Sequence, residues 1–380
     1  MQMSRGPSAA VLVSFAGVAA ASLLFHQLRS RQLRSPISNK RKIVITGGCG
    51  NLGTKIATFL LETYGSEVVV VLIEHPLYIR REAIPKGVSQ LVELDLGHPS
   101  CVPTLRETLK GADAVVHFSA VNPYPNADWA ECAGSMDHSF NLLLAAKKEK
   151  VRRFVLASSN HVMGGYKDVD VDVAGRANLN LEEEGARPRK VTPRMPPKVG
   201  TRVKTAAVSG DAVAYGAAKL AAERLCACVA AAAEAEAMAG TPSTNGKPAT
   251  SFVVLRIGWC QPGTNSPSTL SAEGAPPEFL STNTPAAAAT ADDQSGRVDE
   301  AWFKGMWLSN SDFLAYMDAA LRIPSATLNE RTQAERGPLS APKTSNFVVV
   351  NAMSNNTGMK WCLADTERIL GVTALDDSSK

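Results

Sequence analysis

The chain has 380 residues, of which 45% are hydrophobic and 20% are charged, so it has room for one large α/β domain or two smaller domains. Its net charge of +4 hides an asymmetry, because the first 42 residues hold seven basic residues and no acid, whereas the remainder holds 33 basic and 36 acidic residues. A body without excess positive charge argues against a nucleic-acid-binding protein, and seven scattered cysteines suit a reducing compartment better than a disulfide framework.

The first predicted element is an apolar segment near the N-terminus. Residues 9–25 form an unbroken run of 17 apolar or small residues, at the lower edge of the length that a membrane-spanning helix needs. Basic residues follow the run, which by the positive-inside rule places the rest of the chain on the cytoplasmic side. We expect residues 1–36 to anchor the protein to a membrane, with a cleaved signal peptide or import into mitochondria or another organelle as alternatives.

An alternation of apolar strands and helix-length segments begins after Pro36. The first strand enters a glycine-rich turn, an amphipathic stretch follows, and a second apolar strand ends at Glu74. This alternation predicts an α/β fold, a Rossmann-type doubly wound parallel sheet covered on both faces, with a small C-terminal substrate lobe. The predicted strands lie at residues 43–45, 68–73, 91–94, 114–118, 154–156, 252–257 and 347–350.

Two polar stretches interrupt this rhythm. Residues 167–212 include a run with seven basic residues and no acid, and residues 262–300 are dominated by Pro, Ser, Thr, Ala and Gly. Both patterns predict long, poorly ordered surface loops. The predicted organisation is therefore an N-terminal segment, a cofactor-binding domain that contains the first insertion, a low-complexity loop, and a C-terminal lobe with a final strand and helix, at residues 1–36, 37–262, 263–300 and 301–380.

The glycine turn between the first strand and the first helix predicts a dinucleotide site. Gly47 allows a tight turn, Gly50 lets the backbone approach a pyrophosphate, and Gly53 lets helix and strand pack closely. The amides of the helix start, at Asn51 and Leu52, then face the phosphate charge.

The end of the second strand predicts which dinucleotide binds. Glu74 lies 21 residues after Gly53, where a carboxylate accepts hydrogen bonds from the adenosine ribose hydroxyls. This favours NAD as the cofactor, because a 2′-phosphate would meet a like charge. Arg80 and Arg81 lie nearby and keep NADP as the alternative.

Together with later motifs, the glycine spacing resembles the extended short-chain dehydrogenase/reductase superfamily. The pair Asp95-Leu96 and the stretch Val116-His117-Phe118-Ser119-Ala120 carry the resemblance. The resemblance implies that Asp95 and Leu96 contact the adenine of the cofactor and that Ser119 lines the nicotinamide side. His117, within an apolar strand end, is expected to be structural.

A tyrosine and a lysine strengthen this resemblance. Of the six tyrosines, only Tyr215 has a lysine four residues further on, and this spacing puts Tyr215 and Lys219 on one helix face. A neighbouring ammonium lowers the pKa of a phenol from about 10, so Tyr215 is expected to act as a general base near neutrality. Both residues are also expected to contact the cofactor.

The stretch Leu156-Ala-Ser-Ser-Asn-His-Val-Met-Gly164 is similar to the uronate dehydrogenases, which oxidise C1 of galacturonate or glucuronate with NAD to the aldarolactone. The resemblance implies that Ser159 is the catalytic hydroxyl and that Asn160 and His161 bind the sugar acid. Asn122 stands where the family has a substrate-binding serine. Further similar stretches lie at residues 256–260, 307–313 and 351–356.

The chain departs from that family at its substrate side. Trp302 stands where the uronate enzymes carry the arginine that pairs with the uronate carboxylate, with Arg297 and Lys304 as the nearest candidates to replace it. Trp259 stands where they carry a serine. The interval from Ser159 to Tyr215 is 56 residues, about twice the usual spacing.

The expected activity is therefore NAD-dependent oxidation of a sugar acid, with hydride leaving a sugar hydroxyl carbon. The alternatives are a sugar-nucleotide epimerase or dehydratase and a non-catalytic NAD-binding scaffold. The expected partners are a small sugar acid or nucleotide sugar, a membrane contacted through residues 9–25, and a second copy of the chain in an oligomer. No metal is expected, because the six histidines show no metal-ligand spacing.

Overall fold

The computed structural model describes residues 40–120, 128–168, 190–204, 209–238, 249–270, 301–333 and 346–380. The N-terminal segment 1–36, for which we predict a membrane anchor or targeting role, lies outside these residues. Within the described part of the chain, no helix is both long and apolar enough to cross a bilayer.

The described residues include nine strands and seven α-helices, and residues 301–305 are also helical. The strands are β1 (Arg41–Thr46), β2 (Val68–Glu74), β3 (Gln90–Glu93), β4 (Ala114–His117), β5 (Arg153–Ser159), β6 (Val203–Lys204), β7 (Ser209–Gly210), β8 (Ser251–Ile257) and β9 (Phe347–Ala352). The helices are α1 (Asn51–Tyr64), α2 (Cys101–Leu109), α3 (Trp129–Lys148), α4 (Val213–Met238), α5 (Asn310–Arg322), α6 (Ser325–Gln333) and α7 (Ala364–Leu370).

Seven of these strands form one parallel sheet in the order β3-β2-β1-β4-β5-β8-β9. The chain order reverses between β1 and β4, so a crevice opens at the carboxyl ends of these two neighbouring strands, which is where ligands bind in doubly wound folds. The prediction of a Rossmann-type parallel sheet is confirmed. β9 comes from the predicted C-terminal lobe, yet it is the edge strand of the main sheet.

Apolar side chains cover both faces of the sheet. Helices α1 and α5 pack on one face through residues such as Ile56 and Phe313, and helices α2, α3 and α4 cover the other face through residues such as Leu105, Leu142 and Cys226. Strands buried on both faces need side chains that are apolar in succession, as the fully buried β5 and β8 show.

A third apolar cluster lies beyond the carboxyl edge of the sheet. Trp302, Phe303 and Met306 pack there against Trp361 and against Val162, which follows β5. The cluster fixes the position of the chain that leaves β5, and therefore of the polar residues between β5 and Val162.

Part of the first predicted insertion belongs to this core. The prediction that residues 167–212 form a surface loop fails at Val191, Gly200 and Thr201, which are buried, whereas Lys190, Arg194, Pro196 and Lys198 are exposed as expected. Val191 pairs with the chain around Trp361, since its amide donates to Lys360 O at 2.6 Å and its carbonyl accepts from Cys362 N at 3.0 Å. Backbone pairing of this kind does not depend on side-chain type, so the basic composition of the stretch concealed it.

A buried ion pair joins α4 to β8. Arg256 donates two hydrogen bonds to the Glu223 carboxylate, with N–O distances of 2.9 and 2.8 Å. Both side chains are about 3% exposed. Ser158 donates to the same carboxylate at 2.6 Å. Because both charges are removed from water, loss of either partner would leave the other as a buried, uncompensated charge and lower the free energy of unfolding.

We expect Arg256→Met to lower the free energy of unfolding by about 3–5 kcal/mol, because it leaves the Glu223 carboxylate buried without its counter-charge. The double variant Glu223→Leu/Arg256→Met should recover most of that loss. Chemical denaturation of the three proteins measures both effects. The matched control is Arg81→Met at the exposed Arg81–Glu93 pair, where the change should stay below about 1 kcal/mol. Equal losses at the two pairs would contradict the assignment.

Candidate active site

The glycine turn has the close approaches that a dinucleotide cradle requires. Gly47 has a φ of +66°, and a Cβ there would lie 3.0 Å from Ser119 N. A Cβ on Gly53 would overlap the carbonyl oxygen of Gly47. Helix α1 begins at Asn51 after Gly50, and no side chain caps its first amides in the described structure. The turn therefore presents bare backbone N–H groups in a space that side chains would fill, which fits a pyrophosphate.

Glu74 lies at the end of β2 beside this turn, as the sequence predicts. Its carboxylate accepts from Cys49 N at 2.9 Å and from His75 N at 3.0 Å. Arg80 reaches the same turn, because its guanidinium donates to Cys49 O at 3.3 Å, whereas Arg81 is paired with Glu93 on the surface.

Asp95, Leu96 and Ser119 lie at the carboxyl ends of β3 and β4. The carboxylate of Asp95 accepts from Gly97 N at 2.8 Å, and Leu96 is buried, with its carbonyl accepting from Asn141 of α3 at 2.8 Å. These contacts hold the loop after β3 beside the crevice.

Sequence reasoning missed a histidine in this region. Ser119 Oγ lies 3.0 Å from His138 Nδ1, so α3 orients the Ser119 hydroxyl. His138 precedes Asn141 by three residues, and the two side chains reach neighbouring loops from one side of α3. No motif marked His138, because only the tertiary contact gives it a role.

Ser159, Tyr215 and Lys219 meet where β5 ends and α4 begins. The side chain of Tyr215 lies close enough to that of Ser159 for the serine to affect its pKa. Lys219 Nζ donates to Ala157 O at 2.8 Å and lies 5.6 Å from the centroid of the Tyr215 ring. The three predicted catalytic residues are therefore adjacent, although 56 residues separate Ser159 from Tyr215.

Burial has the largest effect on the pKa values of Tyr215 and Lys219. It raises the pKa of Tyr215 above its ordinary value near 10, and the hydrogen bond from Ser159 opposes this only in part. Burial also lowers the pKa of Lys219 to about 8. Desolvation of the phenolate is therefore the largest effect on the Tyr215 pKa in the chain without cofactor, and it acts against the lowering expected from Lys219.

Asn160 and His161 form the turn that follows β5. Asn160 donates to Ile257 O at 3.3 Å, and its buried side-chain oxygen has no partner among the described residues. The His161 ring packs edge-on against Tyr215 at 5.6 Å, and burial lowers its pKa to about 4, so the imidazole is neutral at pH 7. Asn122, the third predicted substrate residue, lies outside the described residues.

The position that matches the carboxylate-binding arginine holds a packing residue. Trp302 is 3% exposed and lies against Trp361, with 5.0 Å between ring centroids. Of the two candidate replacements, Lys304 is exposed and Arg297 lies outside the described residues. The described part of the chain holds no cluster of metal-ligating residues.

A second group that sequence reasoning missed ties α1 to the loop after β8. Lys55 Nζ donates to Gln261 O and to Asn310 Oδ1, both at 2.6 Å, and Asn51 donates to Cys260 O at 2.9 Å. These contacts hold the beginning of α1 against the chain that leaves β8. A lysine one turn into an amphipathic helix gives no sequence signal for such a role.

The chain belongs to the NAD dependent epimerase/dehydratase family, whose model matches residues 43–249. This confirms the predicted membership of the extended short-chain dehydrogenase/reductase type. NAD is accordingly the cofactor, and the glycine cradle and Glu74 fit it.

Similar proteins include sugar dehydrogenases. The chain is 32% identical over 127 residues to uronate dehydrogenase of Pseudomonas putida, covering 33% of this chain and 43% of that protein. It is 30% identical over 130 residues to L-arabinose 1-dehydrogenase (NAD(P)(+)) of Haloferax volcanii, covering 34% and 45%. The chain thus matches less than half the length of these relatives.

The fold is also similar to solved structures. A tyrosine-to-alanine mutant of uronate dehydrogenase from Agrobacterium tumefaciens, complexed with NAD, superposes with a TM-score of 0.50 and 18% identity, covering 90% of this chain and 86% of that chain. At this identity, the similarity establishes the fold.

We expect Gly53→Ala to weaken NAD binding at least tenfold, because the added methyl group displaces the turn that faces the pyrophosphate. Calorimetric titration with NAD measures the change. The matched control is Gly134→Ala on α3, where an added Cβ meets nothing within 4 Å and NAD affinity should be unchanged. Unaltered affinity in Gly53→Ala would contradict the cradle.

We expect Tyr215 to remain a neutral phenol up to about pH 10 in the protein without added NAD, since burial disfavours the phenolate. An ultraviolet pH titration of wild type minus Tyr215→Phe isolates its ionisation. Phenolate absorbance that appears between about pH 7 and 8 would restore the view that Lys219 controls this group.

Proposed function

We propose that the chain oxidises a sugar acid, with hydride leaving a sugar hydroxyl carbon, C1 of a hexuronate, for NAD. The observation that carries this proposal is the contact of Ser159 with Tyr215 beside Lys219, at the carboxyl edge of the sheet and next to the glycine cradle. Bound NAD supplies a hydride acceptor, so the protein has to bind the sugar, orient it and take up one proton.

Tyr215 is the proposed general base. Its phenolate oxygen takes the proton of the reacting hydroxyl, so the O–H electrons form the carbonyl as hydride leaves the carbon. Since the pKa of Tyr215 is raised by burial, the active phenolate becomes more abundant as pH rises, and turnover should rise with it.

Ser159 is the proposed hydroxyl that binds the reacting oxygen. It ends β5, so the strand fixes its backbone, and its contact with Tyr215 supports a role in which both hydroxyl groups bind one substrate oxygen. A hydrogen bond from Ser159 stabilises charge that develops on that oxygen.

Lys219 and the turn after β5 complete the proposed site. The Lys219 ammonium, anchored on Ala157 O, holds the ribose of the cofactor and favours the phenolate. Asn160 offers an unpaired buried oxygen, which a sugar hydroxyl would satisfy. The similarity to enzymes named for uronate and for L-arabinose supports a sugar substrate.

One observation favours a second candidate, a sugar-nucleotide epimerase or dehydratase. Trp302 is buried in the position of the carboxylate-binding arginine, so the described residues lack that contact with a free uronate. The same Ser159, Tyr215 and Lys219 chemistry would then draw hydride reversibly from a nucleotide sugar, without net NADH.

The test mixes the full-length protein with NAD and galacturonate, glucuronate, L-arabinose or UDP-glucuronate and follows NADH absorbance. We expect NADH with a free uronate and a loss of turnover of about 10²-fold or more in Tyr215→Phe, because the base is removed. NAD affinity should survive in this variant.

The matched control is Tyr64→Phe, because the Tyr64 hydroxyl donates to Asp318 at 2.5 Å at the end of α1 that is distant from the glycine turn. It should retain the wild-type rate. Full turnover in Tyr215→Phe would contradict the proposed base, and conversion of UDP-glucuronate without NADH would select the epimerase or dehydratase instead.

A further inference from the structure

The segment 190–201, buried at Val191, Gly200 and Thr201, reaches the candidate active site. Its residue Lys198 donates its amide to Val162 O at 3.1 Å, and Gly200 donates its amide to His161 O at 2.9 Å. Thr201 follows, with no exposed surface. A segment that lengthens the interval between Ser159 and Tyr215 therefore forms one wall of the pocket around His161.

Thr201 contacts the imidazole directly. Its hydroxyl lies 2.8 Å from His161 Nδ1. Two glycines make room for this contact. A Cβ on Gly164 would overlap Thr201 Oγ1, and a Cβ on Gly216 would lie 2.7 Å from His161 O. The histidine is thus enclosed between the turn after β5, the start of α4 and the segment 190–201.

The segment is anchored at two further points. Arg256 of β8 donates to Pro193 O at 3.2 Å, and Asn351 of β9 donates to Val191 O at 3.0 Å. These bonds connect the segment to neighbouring strands of the sheet. Thr201 is consequently held in place by the frame that also carries Ser159, and its hydroxyl does not have to be ordered by the substrate.

The contact links the direction of the Thr201 hydrogen bond to the position of the hydrogen on His161. A neutral imidazole carries one hydrogen, on either Nδ1 or Nε2. Among the described residues, His161 Nδ1 is the acceptor within reach of the Thr201 hydroxyl. Donation from Thr201 to Nδ1 requires that the ring hydrogen sit on Nε2.

We propose that Thr201 is a positioning residue that holds neutral His161 with its hydrogen on Nε2, so that this N–H donates to an acceptor oxygen of the sugar acid. The inference rests on the proposed function for the identity of the ligand. Burial keeps the ring neutral, since it lowers the pKa of His161 to about 4. The Nε2 donor then recognises a carboxylate or carbonyl oxygen beside Tyr215, against which the ring packs.

The first test reads the tautomer without any substrate. A long-range ¹H–¹⁵N spectrum of histidine-labelled protein separates the two neutral tautomers, and the spectrum of His161→Gln identifies the His161 signals. We expect the Nε2–H form in wild type and a mixture of forms in Thr201→Val, which keeps the shape and removes the hydroxyl. Thr201→Ser should restore the Nε2–H form.

The second test measures recognition. Thr201→Val should raise KM for the sugar acid about tenfold, with a smaller change in kcat, because it loses one oriented hydrogen bond to the substrate. NAD affinity should be unchanged, and Thr201→Ser should recover most of the loss. The matched control is Thr108→Val, a buried threonine on α2, which should keep the wild-type KM.

The outcomes separate the two proposals. If wild type turns over a sugar acid and Thr201→Val matches it in KM and in tautomer, the role of Thr201 is refuted while the proposed function stands. A wild-type spectrum with hydrogen on Nδ1 also refutes it. If wild type oxidises no sugar, the proposed function fails, and the Nε2–H spectrum alone still decides whether Thr201 sets the tautomer.

Discussion

The buried contact between Glu223 and Arg256 determines where α4 lies on the sheet. Glu223 follows Lys219 by four residues and Tyr215 by eight, so all three side chains lie along one face of α4. Two hydrogen bonds between guanidinium and carboxylate fix distance and orientation together, whereas apolar packing would allow the helix to slide. Ser158 donates to the same carboxylate, so the Glu223 side chain fixes the position of α4 relative to β5. This contact lies next to the one between Ser159 and Tyr215.

The fold could be predicted from the sequence because its signals are local. Apolar runs of strand length alternate with helix-length segments, and Gly47, Gly50 and Gly53 mark the turn that a dinucleotide needs. The spacing of Tyr215 and Lys219 gave the candidate catalytic pair. Each of these features is contained within about one turn or one strand of chain, so that pattern alone is informative.

Several contacts of the fold and of the candidate site could not be predicted, because they form between segments that are far apart in the chain. The basic composition of residues 187–204 is typical of a solvated loop, yet Val191 pairs with the chain around Trp361 and Thr201 contacts His161. His138 acquires its role only through Ser119. Contacts of this kind leave no periodic pattern, because one residue in each segment is enough to make them.

The same limit applies to electrostatics. A tyrosine four residues before a lysine suggests a lowered phenol pKa. That argument counts the attraction of the lysine charge but omits the cost of removing the phenolate from water. In the folded chain Lys219 is itself buried, with its pKa lowered to about 8, and its ammonium is engaged with Ala157 O. Desolvation is the largest effect on the Tyr215 pKa, and it acts against any attraction between the Lys219 ammonium and the phenolate.

Burial also determines which side chains are available to bind a ligand near the turn after β5. Trp302 packs against Trp361 in the apolar cluster, so the described wall of the pocket has an indole where an arginine would supply a bidentate charged contact. The residues that form the turn after β5, Asn160 and His161, are neutral. Neutral donors and acceptors select a ligand by the positions of its oxygens more than by its charge, and a buried polar group left unpaired by the wrong ligand costs more than a paired one gains. Under the proposed function, a site of this composition would discriminate by the positions of the sugar hydroxyl and carbonyl oxygens. Its donor positions would then depend on the orientation of the His161 ring, which Thr201 contacts from a segment with the composition of a solvated loop.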